Sequence, residues 1–510
     1  MDRRTFLKQC AVSIGALTIA SCVGKSNHLK PQRCPNIVYI LADDLGYGDV
    51  SCLNKESKIH TQALDRLAGE GIIFTDAHSG SAVCTPTRYG ILTGRYCWRS
   101  RLKSGVLNGY SPHLIEPERM TVASMLKLAG YHTSCIGKWH LGWDWSQKSD
   151  DSDTVDYTRP IQNGPTACGF DYSFCTPASL DMPPYVYVEN DHVTAVPDRT
   201  IDKQTGKGFF REGPIGSDFK HSEVLSKLTE KAVDYIDHQA DARKSTPFFL
   251  YFALPAPHTP ILPTEAFRGK SKTNEYGDFV LQVDWTVALI SEALKRNGIE
   301  KDTLVIFTSD NGCAPAADFD ELAQLQHDPS SIFRGQKADI FEGGHRIPYI
   351  VRWPDHIAAG RVCHETICLT DLMATAAEIV GVKLPDNAGQ DSVSCLPYLL
   401  GTASEPLREA TVHHSINGSF SIRQGKWKLI LCSDSGGWSD PRPDSEAAKH
   451  LPRAQLYDLS TDSAETINVQ DKHPEIVQQL TALLESYVKR GRSTPGLPQK
   501  NNGRIDIFGK

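Results

Sequence analysis

The chain has 510 residues, 40% of them hydrophobic and 23% charged, so it is long enough for a large core and more than one domain. Its formal net charge of -7 lacks the basic excess expected when nucleic acid is the main partner. Beyond the first residues, no apolar run is long enough to cross a bilayer as a helix. The composition predicts a globular protein with no nucleic-acid partner.

The first 22 residues have the layout of a secretory signal peptide. Arg3 and Arg4 precede an apolar stretch over residues 11–20, and this arginine pair resembles a twin-arginine export signal. Residues 19–22 resemble a lipobox, in which Cys22 would be lipidated; a plain cleaved signal is the alternative. We expect export, either to the periplasm or to a lipid-anchored position on the cell envelope.

Apolar runs alternate with amphipathic helical patterns over residues 33–400. The runs show no polar alternation, which is typical of strands buried on both faces of a parallel sheet. Predicted strands lie at residues 37–41, 133–136, 248–252 and 304–307, and predicted helices at residues 122–129 and 280–294. The pattern predicts an α/β catalytic domain with a large, mostly parallel sheet flanked by helices.

Residues 401–510 have a different character. Short strand-like pieces at residues 419–423 and 427–431 are followed by a polar loop and by a helix at about residues 474–488. We expect a smaller C-terminal α+β subdomain that packs on the first domain.

Oxygen-bearing side chains follow two of the predicted strands. Asp43 and Asp44 come after the first strand, and Asp310 and Asn311 come after the strand at residues 304–307. In open parallel sheets, ligands bind at the carboxyl ends of the strands. Such hard oxygen donors suit Ca²⁺ or Mg²⁺ better than zinc, whereas an isolated Asp pair would be read as a helix cap or a turn.

Cationic side chains gather in the same part of the predicted sheet. A tetrahedral anion such as a sulfate or phosphate ester needs this kind of clamp, together with a metal that offsets developing charge. Each residue alone has an ordinary alternative, such as a surface salt bridge or a structural histidine. The candidates are Arg88, Lys138, His140, His258 and Lys337.

The 14 cysteines include no Cys-x-x-Cys pair, and one of them opens the most informative segment, residues 84–95. There Cys84-Thr-Pro-Thr-Arg88 is followed by Thr-Gly-Arg, which resembles the signature of the formylglycine sulfatases of the alkaline phosphatase superfamily. Further segments match the family in its order along nearly the whole chain: residues 43–44, 137–140, 256–260, 309–312 and 342–344.

This resemblance implies a mechanism and a set of roles. A maturation enzyme would oxidise Cys84 to formylglycine, whose hydrate offers one hydroxyl as nucleophile and a second for expelling sulfate. One calcium ion would be held by residue 84 and the oxygen ligands Asp43, Asp44, Asp310 and Asn311. Further roles are hydrate stabilisation by Arg88, sulfate binding by Lys138 and Lys337, assistance of the elimination by His140, and protonation of the leaving alcohol by His258.

Three further features extend this resemblance or depart from it. Ser179 and Asp181 resemble a segment that lines the family's sulfate pocket, although Asp181 would equally suit a sugar. Thr87 stands where the family most often has Ser. Residues 314–333 form an insertion-like stretch that is either a surface helix or a substrate-specificity lid.

Two alternatives to a sulfatase remain open at this point. A phosphoester or phosphonate hydrolase of the same superfamily is one, although a Cys nucleophile and a single oxygen-rich metal site favour sulfate. An inert, exported glycan-binding lipoprotein with unmodified Cys84 is the other. The expected substrate is a sulfated carbohydrate, with a galactose or N-acetylgalactosamine sulfate preferred.

Overall fold

The computed structural model describes residues 34–149, 154–242 and 245–508. The expected signal peptide and lipobox lie outside these residues. The strands of the described residues are, in chain order, β1 (Asn36–Asp43), β2 (Ile72–Phe74), β3 (Ala77–His78), β4 (His132–Lys138), β5 (Tyr172–Thr176), β6 (Val188–Glu189), β7 (His192–Val193), β8 (Arg199–Ile201), β9 (Gly213–Ile215), β10 (Phe248–Pro257), β11 (Thr303–Ser309), β12 (Tyr349–Arg352), β13 (Arg361–Cys363), β14 (Ile367–Cys368), β15 (Thr411–His414), β16 (Phe420–Gln424), β17 (Trp427–Ile430) and β18 (Gln455–Asp458). The α-helices in the same residues are α1 (Gln62–Gly69), α2 (Cys84–Thr93), α3 (Val122–Leu128), α4 (Val224–Ala242), α5 (Glu275–Arg296), α6 (Phe319–Gln324), α7 (Glu342–His345), α8 (Leu372–Val380), α9 (Leu396–Leu400), α10 (Glu446–Lys449) and α11 (Pro474–Arg490).

A ten-stranded sheet forms the centre of the described chain, in the order β13-β2-β12-β11-β1-β10-β4-β5-β6-β7. The run β11-β1-β10-β4-β5 is parallel throughout, with Tyr39 of β1 opposite Tyr251 of β10 and Ile306 of β11. Antiparallel strands extend it, with β12 on one side and β6 and β7 on the other. The predicted α/β class is confirmed, and the short antiparallel edges make the sheet mixed.

The central strands are buried because both faces of the sheet are covered. Side chains of a strand alternate between faces, so Tyr39 and Leu41 of β1 join a core cluster with α2, α3 and α8, whereas Val38 and Ile40 join a second cluster with α1, α4 and α5. Every residue of β1, β10 and β11 is buried. This accounts for the unbroken apolar runs in the sequence.

The small sheet of the C-terminal region is antiparallel, in the order β15-β16-β17-β18. It shares a core cluster with α11, to which Trp98 of the large domain contributes by packing edge-on against Phe420 at 5.3 Å. The domain boundary at residue 400 stays a prediction. In the described residues, no helix has the length and apolar character that crossing a membrane requires.

Candidate active site

Four adjacent parallel strands position the candidate site at their carboxyl ends. Asp43 is the last residue of β1 and Lys138 the last of β4, while Asp310 directly follows β11 and His258 directly follows β10. Because these strands are neighbours in the order β11-β1-β10-β4, side chains more than 200 residues apart in sequence meet at one edge.

Asp44, a candidate metal ligand, is fixed by hydrogen bonds from several neighbours. It has a left-handed backbone with φ 64°, unusual for a residue other than glycine. Its backbone N–H donates to Asp310 Oδ1 at 3.2 Å, and Asn311 Nδ2 donates to its Oδ1 at 2.7 Å. Asn311 is fully buried, yet its Oδ1 has no hydrogen-bond partner among the described residues. A buried amide oxygen of this kind is a ready ligand for a cation.

The donor set fits a hard divalent cation. One carboxylate oxygen each from Asp43 and Asp310 and the Sγ of Cys84 lie within 4.8 Å of one another, all buried. Burial raises the pKa of Asp310 to about 7, and the negative charge of Asp43 adds to this effect. Two adjacent buried carboxylates are costly to ionise, and a divalent cation would remove that cost. With Asp44 and the amide oxygen of Asn311, these groups suit a hard divalent cation.

Three buried cations neutralise the carboxylates. Lys138 Nζ donates to both oxygens of Asp43 at 2.9 and 2.7 Å, and Lys337 Nζ donates to Asp44 Oδ2 at 2.7 Å. Burial alone would raise the pKa of Asp43, but the neighbouring positive charges, with Lys138 the largest, together outweigh burial and hold the pKa well below its ordinary value. A surface salt bridge, the ordinary alternative for Lys337, does not describe this buried contact.

Arg88 lies one helical turn after Cys84 on α2. Its Nε and Nη2 donate to Asp310 Oδ2 at 3.1 and 2.7 Å, and its Nη1 donates to the carbonyl of Lys138 at 3.0 Å. Burial opposes the charged guanidinium, but the carboxylates of Asp310 and Asp43 outweigh burial and raise its pKa above the ordinary value. Arg88 therefore stays charged and fixes the orientation of Asp310.

Cys84 is the first residue of α2 and is buried at the site. Burial raises the pKa of its thiol, and the charges of Lys138 and Lys337 oppose that rise. The side chain of Thr85 accepts a hydrogen bond from the backbone N–H of Leu107 at 3.2 Å, which ties the helix start to the loop beneath His140. The nucleophile candidate is thus held on a rigid element in the same pocket as the acidic residues.

Two histidines face this pocket, and in each a hydrogen bond to a backbone carbonyl shows which ring nitrogen carries a hydrogen. His140 Nε2 donates to the carbonyl of Leu107 at 2.7 Å, and its buried Nδ1 has no partner in the described part of the chain. Burial and the charge of Lys138 hold the pKa of His140 well below its ordinary value, so the ring is neutral and Nδ1 is an acceptor. His258 Nδ1 donates to the carbonyl of Thr259 at 2.5 Å, and its Nε2 lies 3.5 Å from Asp44 Oδ2.

Ser179 and Asp181 follow β5, the strand beside β4, and so belong to the same edge of the sheet. Both are buried, and Ser179 Oγ and Asp181 Oδ1 lack a hydrogen-bond partner among the residues described. The other oxygen of Asp181 binds the guanidinium of Arg211, which is half exposed.

His221, not identified from the sequence, stacks on Phe210 at 4.2 Å, and its Nε2 is likewise buried and without a partner in the described residues.

Several other sequence features make packing contacts and ion pairs within the fold. Glu342 of the matching segment 342–344 is buried in ion pairs with Arg346 and Lys428. Four aromatic residues whose rings would suit stacking on a sugar are all buried in the core, which disfavours that use: Tyr185, Tyr187, Trp143 and Trp145. Residues 314–333 contain the short helix α6, and their second half packs against residues 46–58.

Asp49, Tyr276 and His327 are contacts of the site that sequence reasoning missed. They form a buried hydrogen-bonded group behind the turn that follows Asp43. The Gly-Tyr-Gly-Asp spacing at residues 46–49, a tight turn closed by an acid, is the only local signal that pointed to it.

A mixed α/β sheet with acidic, amide, cationic and cysteine side chains at one carboxyl edge defines a hydrolase of anionic esters. The Sulfatase family model matches residues 35–382. The N-acetylgalactosamine-6-O-sulfatase of Bacteroides thetaiotaomicron is 36% identical over 509 residues, covering 92% of this chain and 96% of that protein. Human arylsulfatase A is 33% identical, covering 89% of this chain and 88% of that protein.

A solved structure agrees with these sequence matches. A 6S-sulfatase from work on glycosaminoglycan metabolism by Bacteroides thetaiotaomicron superposes with a TM-score of 0.77 at 35% identity, covering 89% of this chain and 99% of that chain. The chain belongs to the sulfatase family. The predicted sulfuric ester hydrolase activity is confirmed, and the family assignment argues against the phosphoester alternative.

Proposed function

We propose that this sulfatase removes sulfate from sulfated carbohydrates, specifically from the 6-position of galactose or N-acetylgalactosamine residues. Several of the relatives are N-acetylgalactosamine-6-sulfatases, which supports the substrate class. The observation that carries the proposal is the buried pocket itself, in which three cations face three carboxylates: Arg88, Lys138 and Lys337 against Asp43, Asp44 and Asp310. Adding one divalent cation leaves a positive excess, which suits an anionic ester.

We propose that Cys84 is converted to formylglycine by a maturation enzyme and that Ca²⁺ is bound by residue 84 with Asp43, Asp44, Asp310 and Asn311. When present, the cation would offset charge on the sulfate oxygens, and formylglycine would supply a hydroxyl as nucleophile. The start of α2 and the charges of Lys138 and Lys337 surround residue 84.

The remaining roles follow from the geometry of the chain's own groups. His258 donates from Nδ1 to the Thr259 carbonyl, so Nε2 is the nitrogen left for protonating the leaving alcohol. His140 is neutral with a free Nδ1, which suits it to take a proton from the hydroxyl that remains on residue 84. Lys138 and Lys337 would exchange part of their carboxylate contacts for sulfate oxygens.

The sugar would be recognised beside the sulfate pocket. Ser179 Oγ, Asp181 Oδ1 and His221 Nε2 are buried polar atoms without partners in the described chain, and unpaired buried groups of this kind are costly unless a ligand satisfies them. Hydroxyls of a sugar ring are suitable partners. A site that needs such hydrogen bonds discriminates strongly between sugars that differ in one hydroxyl.

The test is sulfate release from galactose, N-acetylgalactosamine, glucose and N-acetylglucosamine carrying sulfate at single positions. The protein is co-expressed with a formylglycine-generating enzyme, beside a Cys84→Ala control. We expect release from the 6-sulfated galactose-type sugars and none from the control. Release from glucose-type sugars instead would contradict the proposed specificity. No release, with unmodified Cys84 by mass spectrometry, would favour the inert glycan-binding protein.

We also propose export, through Arg3 and Arg4, to the periplasm or to the cell envelope with lipid on Cys22. The basis is the sequence pattern of the first 22 residues. Fractionation of cells carrying an Arg3→Lys, Arg4→Lys double variant should show retention in the cytoplasm. A Cys22→Ser variant separates the two destinations. The substitution would release a lipid-anchored protein from the cell envelope, whereas it would leave the location of a periplasmic protein unchanged.

A further inference from the structure

A fully buried carboxylate, Asp49, lies behind the turn that carries the candidate metal ligand Asp44. Its Oδ2 accepts a hydrogen bond from the backbone N–H of Gly46 at 2.8 Å. The Tyr276 hydroxyl donates to the same carboxylate and also contacts the Asp44 carbonyl at 3.2 Å. Asp49 and Tyr276 together hold the backbone of the turn on both sides of Leu45.

His327 completes this group from a distant part of the chain, the segment 314–333. Its Nε2 lies 2.8 Å from Asp49 Oδ1, and both side chains have no exposed surface. The backbone N–H of Lys58 donates to His327 Nδ1 at 3.3 Å, so Nδ1 is the acceptor and Nε2 carries the hydrogen. The tautomer of His327 is therefore the one that donates to Asp49.

The residues after His327 pack against the same turn without spare room. The N–H of Gly48 donates to the carbonyl of Pro329 at 2.7 Å. A Cβ on Gly46 would lie 2.2 Å from that carbonyl oxygen, and a Cβ on Gly48 would lie 2.1 Å from the carbonyl oxygen of Asp328. Only glycine allows this approach, so residues 327–329 form a fixed brace.

The turn needs such a brace because Asp44 occupies the left-handed region at φ 64°. A residue other than glycine is strained in this region and persists there only where its surroundings fix it. Asp44 must also present its carboxylate to Lys337 and Asn311 in one orientation.

We propose that His327 is a positioning residue for the metal site: it orients Asp49, and Asp49 with Tyr276 fixes the conformation of Asp44. The inference rests on the proposed calcium function and deepens it. It also gives a role to the second half of residues 314–333, which is a brace for the metal-ligand turn and not a movable lid.

The test compares His327→Leu with His327→Gln by calorimetric calcium titration of the unmodified protein. Leucine removes the donor, and glutamine restores an N–H near the position of Nε2. We expect His327→Leu to weaken calcium binding about 10- to 100-fold, the range typical of outer-shell partners, and His327→Gln to stay within about threefold of the parent. At saturating calcium, the KM for the sulfated sugar should be unchanged in both variants.

Two further variants keep the test decisive. His132→Leu removes a histidine–tyrosine hydrogen bond of 2.9 Å at the opposite end of β4 and should leave calcium affinity unchanged. Tyr276→Phe removes the other side-chain donor to Asp49 and should weaken calcium binding as His327→Leu does, which keeps the test decisive if His327→Leu fails to fold. Parent-like affinity in both His327→Leu and Tyr276→Phe would overturn the proposal, as would equal losses in the leucine and glutamine variants. A parent that binds no calcium would contradict the proposed calcium function itself.

Discussion

Three buried histidines, His78, His345 and His413, lie where β3 and α7 meet the small sheet, and they should make the stability of the protein fall in mild acid. We call them the histidine cluster. His78 Nδ1 lies 3.0 Å from His345 Nδ1, and the rings of His345 and His413 stack at 4.0 Å. The charged and titratable groups that face the cluster are Asp76, Glu342, Arg346, Arg423, Lys428 and Glu465.

Lys428 and Asp76, at the two ends of the cluster, set the direction of the hydrogen bonds between neutral rings, although Arg423 Nη1 also lies 3.0 Å from His78 Nε2. Lys428 donates to His345 Nε2 at 2.9 Å, His345 Nδ1 donates to His78, and His78 Nε2 donates to Asp76 at 2.9 Å. Burial lowers the pKa of His78, and burial with neighbouring positive charge holds the pKa of His345 and His413 well below the ordinary value.

Because the folded pKa values lie below the unfolded value of about 6.5, only the unfolded chain takes up protons as the pH falls past 6.5. The contribution of each histidine is intact above that pH and is lost below it by about 1.4 kcal/mol per pH unit. Between pH 7.5 and 5.5 His345 and His413 each therefore lower the free energy of unfolding by about 1.4 kcal/mol, and His78 contributes in the same direction. Glu465 acts in the opposite direction, since burial raises its pKa to about 7, so the cluster is best isolated by variants.

The assay is the free energy of unfolding from urea titration at pH 7.5 and 5.5, in saturating calcium, for the parent and His413→Gln. Glutamine keeps a donor for the Ser79 carbonyl and an acceptor for the Thr411 hydroxyl but takes up no proton. The variant should lose about 1.4 kcal/mol less than the parent between the two pH values. Replacement of the exposed His450 by glutamine should change nothing. An equal loss in the parent and His413→Gln would refute the reasoning.

Three further substitutions probe the site and the core. Arg88→Lys should lower kcat for sulfate release at least about 100-fold with little change in melting temperature. The reason is that lysine cannot reproduce the paired contacts to the carboxylate of Asp310, a candidate metal ligand. Sulfate release at the rate of the parent would contradict this. Gly137→Ala should destabilise the protein by more than about 2 kcal/mol in thermal unfolding. Gly137 has φ 116°, and a Cβ on it would lie 1.8 Å from the carbonyl oxygen of Ala253. An unchanged melting temperature would contradict this. Arg99→Met should lower the free energy of unfolding by about 3–5 kcal/mol in urea titration, because it leaves the buried carboxylate of Asp391 without its bidentate partner. A loss below about 1 kcal/mol would argue against this.

The centre of the sheet could be predicted from sequence because its strands are covered on both faces. Residues 37–41 read as an apolar run, and in the structure they lie in the middle of β1, buried throughout. The edge strands could not be predicted, since β6 and β7 are two residues long and form only through pairing with neighbours. Local pattern carries no information about such contacts.

The same contrast holds for the candidate site. Asp43 and Asp310 could be predicted because they lie at the ends of recognisable strands, and the carboxyl ends of parallel strands meet at one edge of a sheet. His327 was missed because its contact with Asp49 spans 278 residues and lies in a segment with no strand pattern.

The arrangement around Asp44 explains why metal binding and substrate binding should be coupled in this protein. One oxygen of Asp44 accepts from Asn311, and the other accepts from Lys337 and lies 3.5 Å from His258 Nε2. A cation that draws on Asp44 competes with these contacts and so frees Lys337 and His258 to turn toward an anionic ester. Calcium and the sulfated sugar should therefore each raise the affinity of the other, by linkage. Calorimetric titration of calcium into the Cys84→Ala protein with and without the sulfated sugar would measure this, and identical affinities would show that Asp44 does not link the two.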